Sequence, residues 1–352
     1  MSFWTKKYKD MKETRPQLIV LTPVFNEAWI LPAFLRATSL WADYIIIADQ
    51  MSTDGTRELY ARYKELKSEG LKELKNDCKL IAVDNPRKEM HMAATRRLLF
   101  DEAKKIKGDK ILFTLDADEF LTGDFPHTEG WKTILNSEPG DTFCFKWMNI
   151  DYSLTKYYEG PFYFWALHVE DETLNGIFPD NFIHEWRIPW PENVKQIYNI
   201  EDISFLHFAR VNTLRQRNKA RFYQLSQTAP MEKYSGVRFH RAYNMQSETV
   251  MHKLPSSVYS CYLEHGLNII QSLQLNDEGE HYTKVSLQRI QDKGIDYFHK
   301  LDVWDEHFLQ KLGLKDPRNV IDKIIHAYLR VTQKYSDTIL VRGIDWVIKK
   351  IY

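Results

Sequence analysis

Several common signatures are missing from this chain of 352 residues, and each absence removes a class of function. Cysteine is scarce. Cys78, Cys144 and Cys261 are odd in number, far apart and without a Cys-x-x-Cys pair. That excludes a disulfide framework and a thiolate zinc site, and fits free thiols in a reducing compartment. Excess charge is absent too, since 48 basic residues balance 48 acidic ones. A neutral chain does not bind nucleic acid through a broad electrostatic field. No apolar run approaches the ~20 residues that cross a bilayer. Residues 1–16 are polar and basic and lack the apolar core of a signal peptide, so the expected location is cytoplasmic. Repeats and low-complexity segments are also absent. No glycine follows the first apolar run, where a glycine-rich phosphate loop would sit.

What is present is a sizeable apolar fraction, 43%, with 14% aromatics including ten Trp. Residues 17–56 carry the strongest signal. An apolar run over 17–25 ends in Thr-Pro-Val-Phe-Asn-Glu. A second, over 44–48, ends in Ala-Asp-Gln-Met-Ser-Thr-Asp-Gly-Thr. A third, over 110–115, ends in Asp-Ala-Asp-Glu. Short continuous apolar runs read as buried strands. Helical spacing over 27–41, 58–66 and 92–106 separates them, with a further short strand at 79–83. Alternation at this spacing predicts a mostly parallel α/β sheet. In such sheets ligands bind beyond the carboxyl ends of the strands, where these carboxylates collect.

After Gly123 the rhythm changes. Strands rich in aromatics are predicted over 142–150 and 157–169, shorter ones over 182–188 and 203–209, and a basic amphipathic helix over 212–226. From about 257 onward the pattern is helical, with polar breaks near 276–280 and 313–317. The expected organisation is a polar segment (1–16), a donor-binding half (17–123), an acceptor-binding half of the same domain (124–230) and a helical C-terminal extension (231–352).

The Asp116-Ala117-Asp118 triplet alone is weak, because such a triplet arises by chance in a chain of this composition. Its place after an apolar strand gives it weight. Alternate residues on a strand share a face, so Asp116 and Asp118 are expected to meet one ligand together. Carboxylates suit Mg²⁺ or Mn²⁺, which commonly bridge diphosphates. A solvated acidic turn is the plainer reading. Asp49 can accept from a nucleobase N–H or a ribose hydroxyl, or serve as a cap. Glu27 contacts the nucleoside, or merely favours the adjacent helix N-terminus by its charge. Among the basic residues around the 92–106 helix, Arg87, Lys88, Arg96 and Arg97, one is expected to help hold the donor. Aromatic faces over 147–190 suit pyranose rings, although core packing accounts for most of them.

Taken together, residues 22–27, 48–56, Arg96 in Ala-Thr-Arg-Arg and Leu-Asp-Ala-Asp-Glu (115–119) resemble family 2 glycosyltransferases with the GT-A fold. The match runs through the first ~120 residues in order and spacing. Where that family usually ends its second strand in Asp-Asp-Gly-Ser, Gln50 and Met51 replace the second Asp and the Gly. Downstream, Ile183-His184-Glu185, Leu206-His207, Lys219 and Tyr223 are similar to lipopolysaccharide-core-type members. The resemblance implies a GT-A mixed sheet flanked by helices with a helical C-terminal extension. It implies a donor site at Thr22, Pro23, Phe25, Glu27, Asp49, Arg96, Asp116 and Lys219, and a metal site at Asp116, Asp118 and His207. Glu185 would be the base that takes the acceptor proton, with Asp180 its rival, and Arg221 would join Lys219 against phosphate charge.

The activity so implied is transfer of a sugar from a nucleotide-diphosphate-sugar, with UDP the commonest base in the family. The acceptor is a hydroxyl on a glycan or lipid-linked saccharide, the metal Mn²⁺ or Mg²⁺, and the outcome inversion. Two other classes compete. A nucleotidyltransferase needs a similar site but also the glycine-rich loop that is missing. A degenerate, non-catalytic sugar-nucleotide-binding protein would explain Gln50 and Met51. Residues 339–352 place Ile344, Val347, Ile348 and Ile351 on one helical face. That face suits peripheral contact at the inner side of a membrane, or packing on the protein's own core.

Overall fold

The computed structural model describes residues 15–63, 77–87, 91–170, 176–177, 187–188, 190–191, 194–244 and 250–352. The chain divides into two compact units, Met1–Val211 with Met251–Leu275, and Asn212–Val250 with Asn276–Tyr352.

In chain order the first unit holds β1 (Gln17–Val24), α1 (Leu31–Thr38), β2 (Tyr44–Asp49), α2 (Thr56–Ala61), β3 (Lys79–Asp84), α3 (Met92–Lys104), β4 (Lys110–Thr114) and β5 (Glu119–Leu121). It continues with α4 (Glu129–Leu135), β6 (Thr142–Ile150), β7 (Lys156–Val169), the short pair β8 (Gly176–Ile177) and β9 (Trp190–Pro191), and β10 (Ile197–His207). Helices α5 (Thr213–Thr228) and α6 (Gly236–Tyr243) belong to the second unit. Strand β11 (His252–Lys253) and α7 (Ser260–Glu264) return to the first. The second unit is completed by α8 (Glu280–Lys293), α9 (Glu306–Leu312), α10 (Val320–Thr332) and α11 (Ile339–Ile351).

One mixed sheet, in the order β3-β2-β1-β4-β7-β6-β10-β5, runs through the first unit, with β11 paired to β7. The first four strands are parallel. Their apolar runs are continuous because both faces are covered. On one face Leu18, Val20, Ile45 and Ile47 meet Phe34 and Ala37 of α1. On the other, Ile19, Leu21, Ile46 and Ala48 meet Leu99, Phe100 and Ala103 of α3. Beyond β4 the sheet is mixed, as the GT-A resemblance implies, since β7 runs antiparallel to both β4 and β6. The reason is local. Only residues 151–155 join β6 to β7, too few for a parallel crossover.

Register places the site. Val24 pairs with Asp49 and Asp49 with Asp84, so the carboxyl ends of β1, β2 and β3 lie side by side. Leu21 pairs with Thr114, which ends β4 at the same edge.

Gly123 allows residues 251–275 to rejoin this sheet. Its N–H donates to Val258 O at 2.6 Å. A Cβ there would meet the backbone of Val258, Tyr259 and Ser260 at 2.8 Å. Gly123→Ala is therefore expected to lower stability by about 1–3 kcal/mol, read as a lower urea midpoint. An unchanged midpoint would show that the returning segment yields freely.

Candidate active site

The loops after β1 and β2 are laced together. Asn26 is buried, with a left-handed φ of 55° that asparagine tolerates. Its Oδ1 accepts from Thr53 N–H at 2.7 Å, and its own N–H donates to Ser52 Oγ at 2.8 Å. Glu27 N–H donates to Thr56 Oγ1 and Ala28 N–H to Asp54 Oδ2, both at 3.0 Å. The Glu27 carboxylate accepts from Trp29 Nε1 at 2.6 Å. Pro23, one residue before the end of β1, lies opposite Ala48, and Phe25 just beyond the strand is half-buried.

Asp49, fully buried at the end of β2, accepts from Arg57 Nη1 at 2.6 Å and Ser52 N–H at 3.2 Å through Oδ2. Arg57 also reaches Asp84 at 2.8 Å. Hydrogen bonds from Asp84 and then Asp49 raise the Arg57 pKa, and Tyr60 is raised by burial and then by Asp49. The other Asp49 oxygen, Oδ1, is buried without a hydrogen-bond partner among the described residues. Thr22 Oγ1 on β1 is in the same state. Gln50 turns its amide to Arg87 O at 3.2 Å.

The acidic triplet does not continue β4. It forms a turn closed by Glu119 N–H to Asp116 O at 3.0 Å. Strand alternation therefore does not govern it, and its two carboxylates have different partners. Asp116 Oδ1 takes Arg96 Nη2 at 2.8 Å, and Oδ2 takes Arg187 Nη2 at 3.0 Å. Asp118 approaches His207 instead, with Oδ1 and Nε2 at 3.9 Å. Two ligands each about 2.1 Å from a shared hard cation lie at most about 4.2 Å apart. His207 Nδ1 is 2.7 Å from Asn149 Oδ1 and donates to it. The Nε2 lone pair is thereby left for an ion. This pair fits a divalent metal whose other positions are filled by water and phosphate oxygens. Among the described residues there is no group of three such ligands.

Beneath the turn sits Glu119, fully buried on β5. Arg187 grips it with Nη1 on Oε2 at 2.7 Å and Nη2 on Oε1 at 2.8 Å, a bidentate fork. Trp147 Nε1 at 2.7 Å, Asp116 N–H at 2.9 Å and Trp165 Nε1 at 3.4 Å also donate to it. The Arg187 guanidinium also lies over the Trp147 and Trp165 rings, at 5.4 and 5.0 Å. Burial pulls its pKa down, but Asp116 and Glu119 outweigh that and leave it above the ordinary value. Arg96 goes the other way. Burial holds it below the ordinary arginine value despite Asp116. Its Nη1 is buried with no hydrogen-bond partner among the described residues.

The two residues that the resemblance sets against phosphate charge belong to the second unit. Lys219 lies half-buried on α5 in the second unit, where its charge helps hold His281 down at about 3, after burial and Arg215. Arg221 is committed to the core of that unit, paired with Asp305 and Asn218 and stacked over Phe308. Asp180, His184 and Glu185 fall outside the described residues, as does most of the strand expected over 182–188. Of the aromatics, Trp165 is core and Tyr163 is exposed beside Trp147. Arg187 was not foreseen. It lies two residues after the expected base Glu185, but the motif there does not include it, and its partner is 68 residues away.

No family model and no curated protein matches the chain. Solved structures do. S. aureus TarS 1-349 matches at 11% identity over 84% of this chain and 78% of that one, with a TM-score of 0.39. Mannosyltransferase PcManGT from Pyrobaculum calidifontis, in complex with GDP-Man and Mn²⁺, matches at 12% over 98% and 91%, TM-score 0.39. Glucosyl-3-phosphoglycerate synthase from Mycobacterium tuberculosis, in complex with Mn²⁺, UDP and glucosyl-3-phosphoglycerate, matches at 15% over 72% and 93%, TM-score 0.35. At such scores the likeness decides nothing about substrate or chemistry.

Arg187→Ala would strand a buried carboxylate. It is expected to cost about 3–5 kcal/mol, measured by urea unfolding; a loss below 1 kcal/mol would show that Glu119 finds another partner. Met51 is the opposite case, since it holds a left-handed φ of 55° with its side chain exposed. Met51→Gly removes about 1 kcal/mol of backbone strain, so the melting temperature should rise. A fall would mean that the thioether is held by contacts that outweigh the strain.

Proposed function

We propose that the chain is a glycosyltransferase that binds a nucleotide-diphosphate-sugar at the carboxyl edge of β1, β2 and β4 and transfers the sugar to an acceptor hydroxyl. One observation carries this reading. Thr22 Oγ1, Asp49 Oδ1 and Arg96 Nη1, two acceptors and a cationic donor, are buried without hydrogen-bond partners among the described residues. Burying polar groups unmet is costly, and a ligand that meets them recovers that cost. A nucleoside supplies N–H and hydroxyl donors for Asp49 and Thr22. A diphosphate supplies the anion for Arg96.

A divalent metal held by Asp118 and His207 would supply Lewis-acid neutralisation of the diphosphate charge. The protein's own groups do the rest. Arg96 and Arg187 hold Asp116 and place positive charge beside the leaving group, which stabilises its departure. Glu185, two residues before Arg187 in sequence, takes the acceptor proton, with Asp180 the other carboxylate suited to that step. Inversion by a single displacement, a UDP donor and a role for Lys219 on phosphate rest on the sequence resemblance. So do an acceptor carried on a glycan or lipid and peripheral contact with the membrane that bears it.

A binding-only role has one observation in its favour. Arg57 already occupies Asp49 Oδ2, and Gln50 is turned to the backbone of Arg87. Donor binding without turnover to any saccharide acceptor would favour it.

Calorimetric titration with UDP, GDP, CDP and dTDP, with and without Mn²⁺, tests the donor site. One nucleotide should bind, more tightly with metal, and Asp118→Ala should abolish the metal's contribution. If none of the four binds, the transferase reading fails.

A further inference from the structure

The last two helices of the second unit are amphipathic the wrong way round for a chain surrounded by water. α10 turns Asp322, His326 and Leu329 inward, and α11 turns Val341 and Asp345 inward. The inward carboxylates are satisfied. Asp322 pairs with His299 at 2.9 Å, while Asp345 takes Arg241 Nε at 2.8 Å and Tyr328 Oη at 3.0 Å. The aliphatic residues lie outside. On α10 Val320, Ile324 and Val331 are exposed, Val320 by 72%. On α11 Leu340, Ile344 and Val347 are exposed, Leu340 by 74%. Of the face expected over Ile344, Val347, Ile348 and Ile351, the first two are exposed while Ile348 packs against Val237, Leu329 and Tyr352, and the Ile351 side chain falls outside the described residues. Scattered exposed apolar residues are ordinary, but successive turns of two helices are not.

The geometry points to this pair of outward faces as a docking surface for an anionic lipid bilayer. The charge around it selects that occupant. Lys323, Lys334, Arg342, Lys349 and Lys350 are exposed on the same helices and the turn between them. Asp337 is the only exposed carboxylate over residues 320–352. A second copy meeting the patch across a two-fold axis would set like charges against each other. An anionic leaflet attracts them, and Lys stems let apolar carbons sink while the ammonium stays at the headgroups. Lys350 Nζ lies 3.4 Å from the centroid of exposed Trp346, the kind of aromatic residue that favours a membrane interface. No described helix is long and apolar enough to cross a membrane, so the helices would lie in the plane of the interface. This deepens the membrane-contact part of the reading above.

Flotation of the full chain with vesicles tests it. Binding is expected to phosphatidylcholine vesicles containing phosphatidylglycerol and to be at least about tenfold weaker to phosphatidylcholine alone. Leu340→Glu with Val347→Glu should abolish it, and so should Val320→Glu with Val331→Glu on the other helix. The second pair keeps the test usable if the first fails to fold. Lys349→Gln with Lys350→Gln should weaken binding to the anionic vesicles alone. No flotation with either vesicle overturns the proposal. Equal flotation of wild type and both glutamate pairs overturns it, as does a wild-type dimer that these variants break while vesicles go unbound. Nucleotide titration of the same variants separates the readings, since none of these residues lies in the donor site.

Discussion

Everything at the carboxyl edge depends on the fork between Arg187 and Glu119. A fully buried carboxylate at the base of a turn is unstable unless its lone pairs are filled. Here a guanidinium donates to both oxygens, the Trp147 indole and a backbone N–H donate one bond each, and the Trp165 indole adds a longer one. Because that N–H is Asp116's own, the fork sets the turn in which Asp116 and Asp118 separate. Because the nearer indole is Trp147's, and Trp147 stacks on His207 at 5.1 Å, it also sets the imidazole that faces Asp118. The carboxylate beside the triplet thus orients both groups that could share a metal.

The fold was readable where local pattern decides. The runs over 17–25, 44–48 and 110–115 are strands because their apolar residues are continuous and both faces are covered. The strand over 142–150 and the helix near 212–226 follow from equally local periodicity. The mixed sheet beyond β4 came from the GT-A resemblance and not from hydrophobic pattern, since the reversal at β7 follows from the short β6–β7 connection. At the site, sequence could point to Asp49 and the triplet because they end strands. It could not point to Arg187, whose significance lies in a partner 68 residues away and in the burial of both. Nor could it show that Arg221, basic and on a helix that buries Arg215, Asn218 and Gln224 as well, is a core residue locked to Asp305.

The first two loops illustrate how a departure from a familiar motif is absorbed. Met51 stands where glycine would be effortless, in a left-handed conformation. Ser52, Thr53 and Thr56, which follow it, are tied to Asn26 and Glu27, so neighbouring bonds hold the strained residue. The strain stays local, and Asp49 keeps one oxygen for a ligand.

Sheet order has a consequence for how the molecule is made. β4 lies between β1 and β7, and β5 pairs with β10. A nascent chain that has reached only residue 123 has already committed its acidic turn. The strands that close both edges, and the arginine that neutralises Glu119, are still to be synthesised. Until residues 156–207 emerge, that half offers an open strand edge and an uncompensated carboxylate, the features that invite mispairing. Residues 17–123 therefore gain closed strand edges and a compensated Glu119 only from β7, β10 and Arg187, which follow them in the chain.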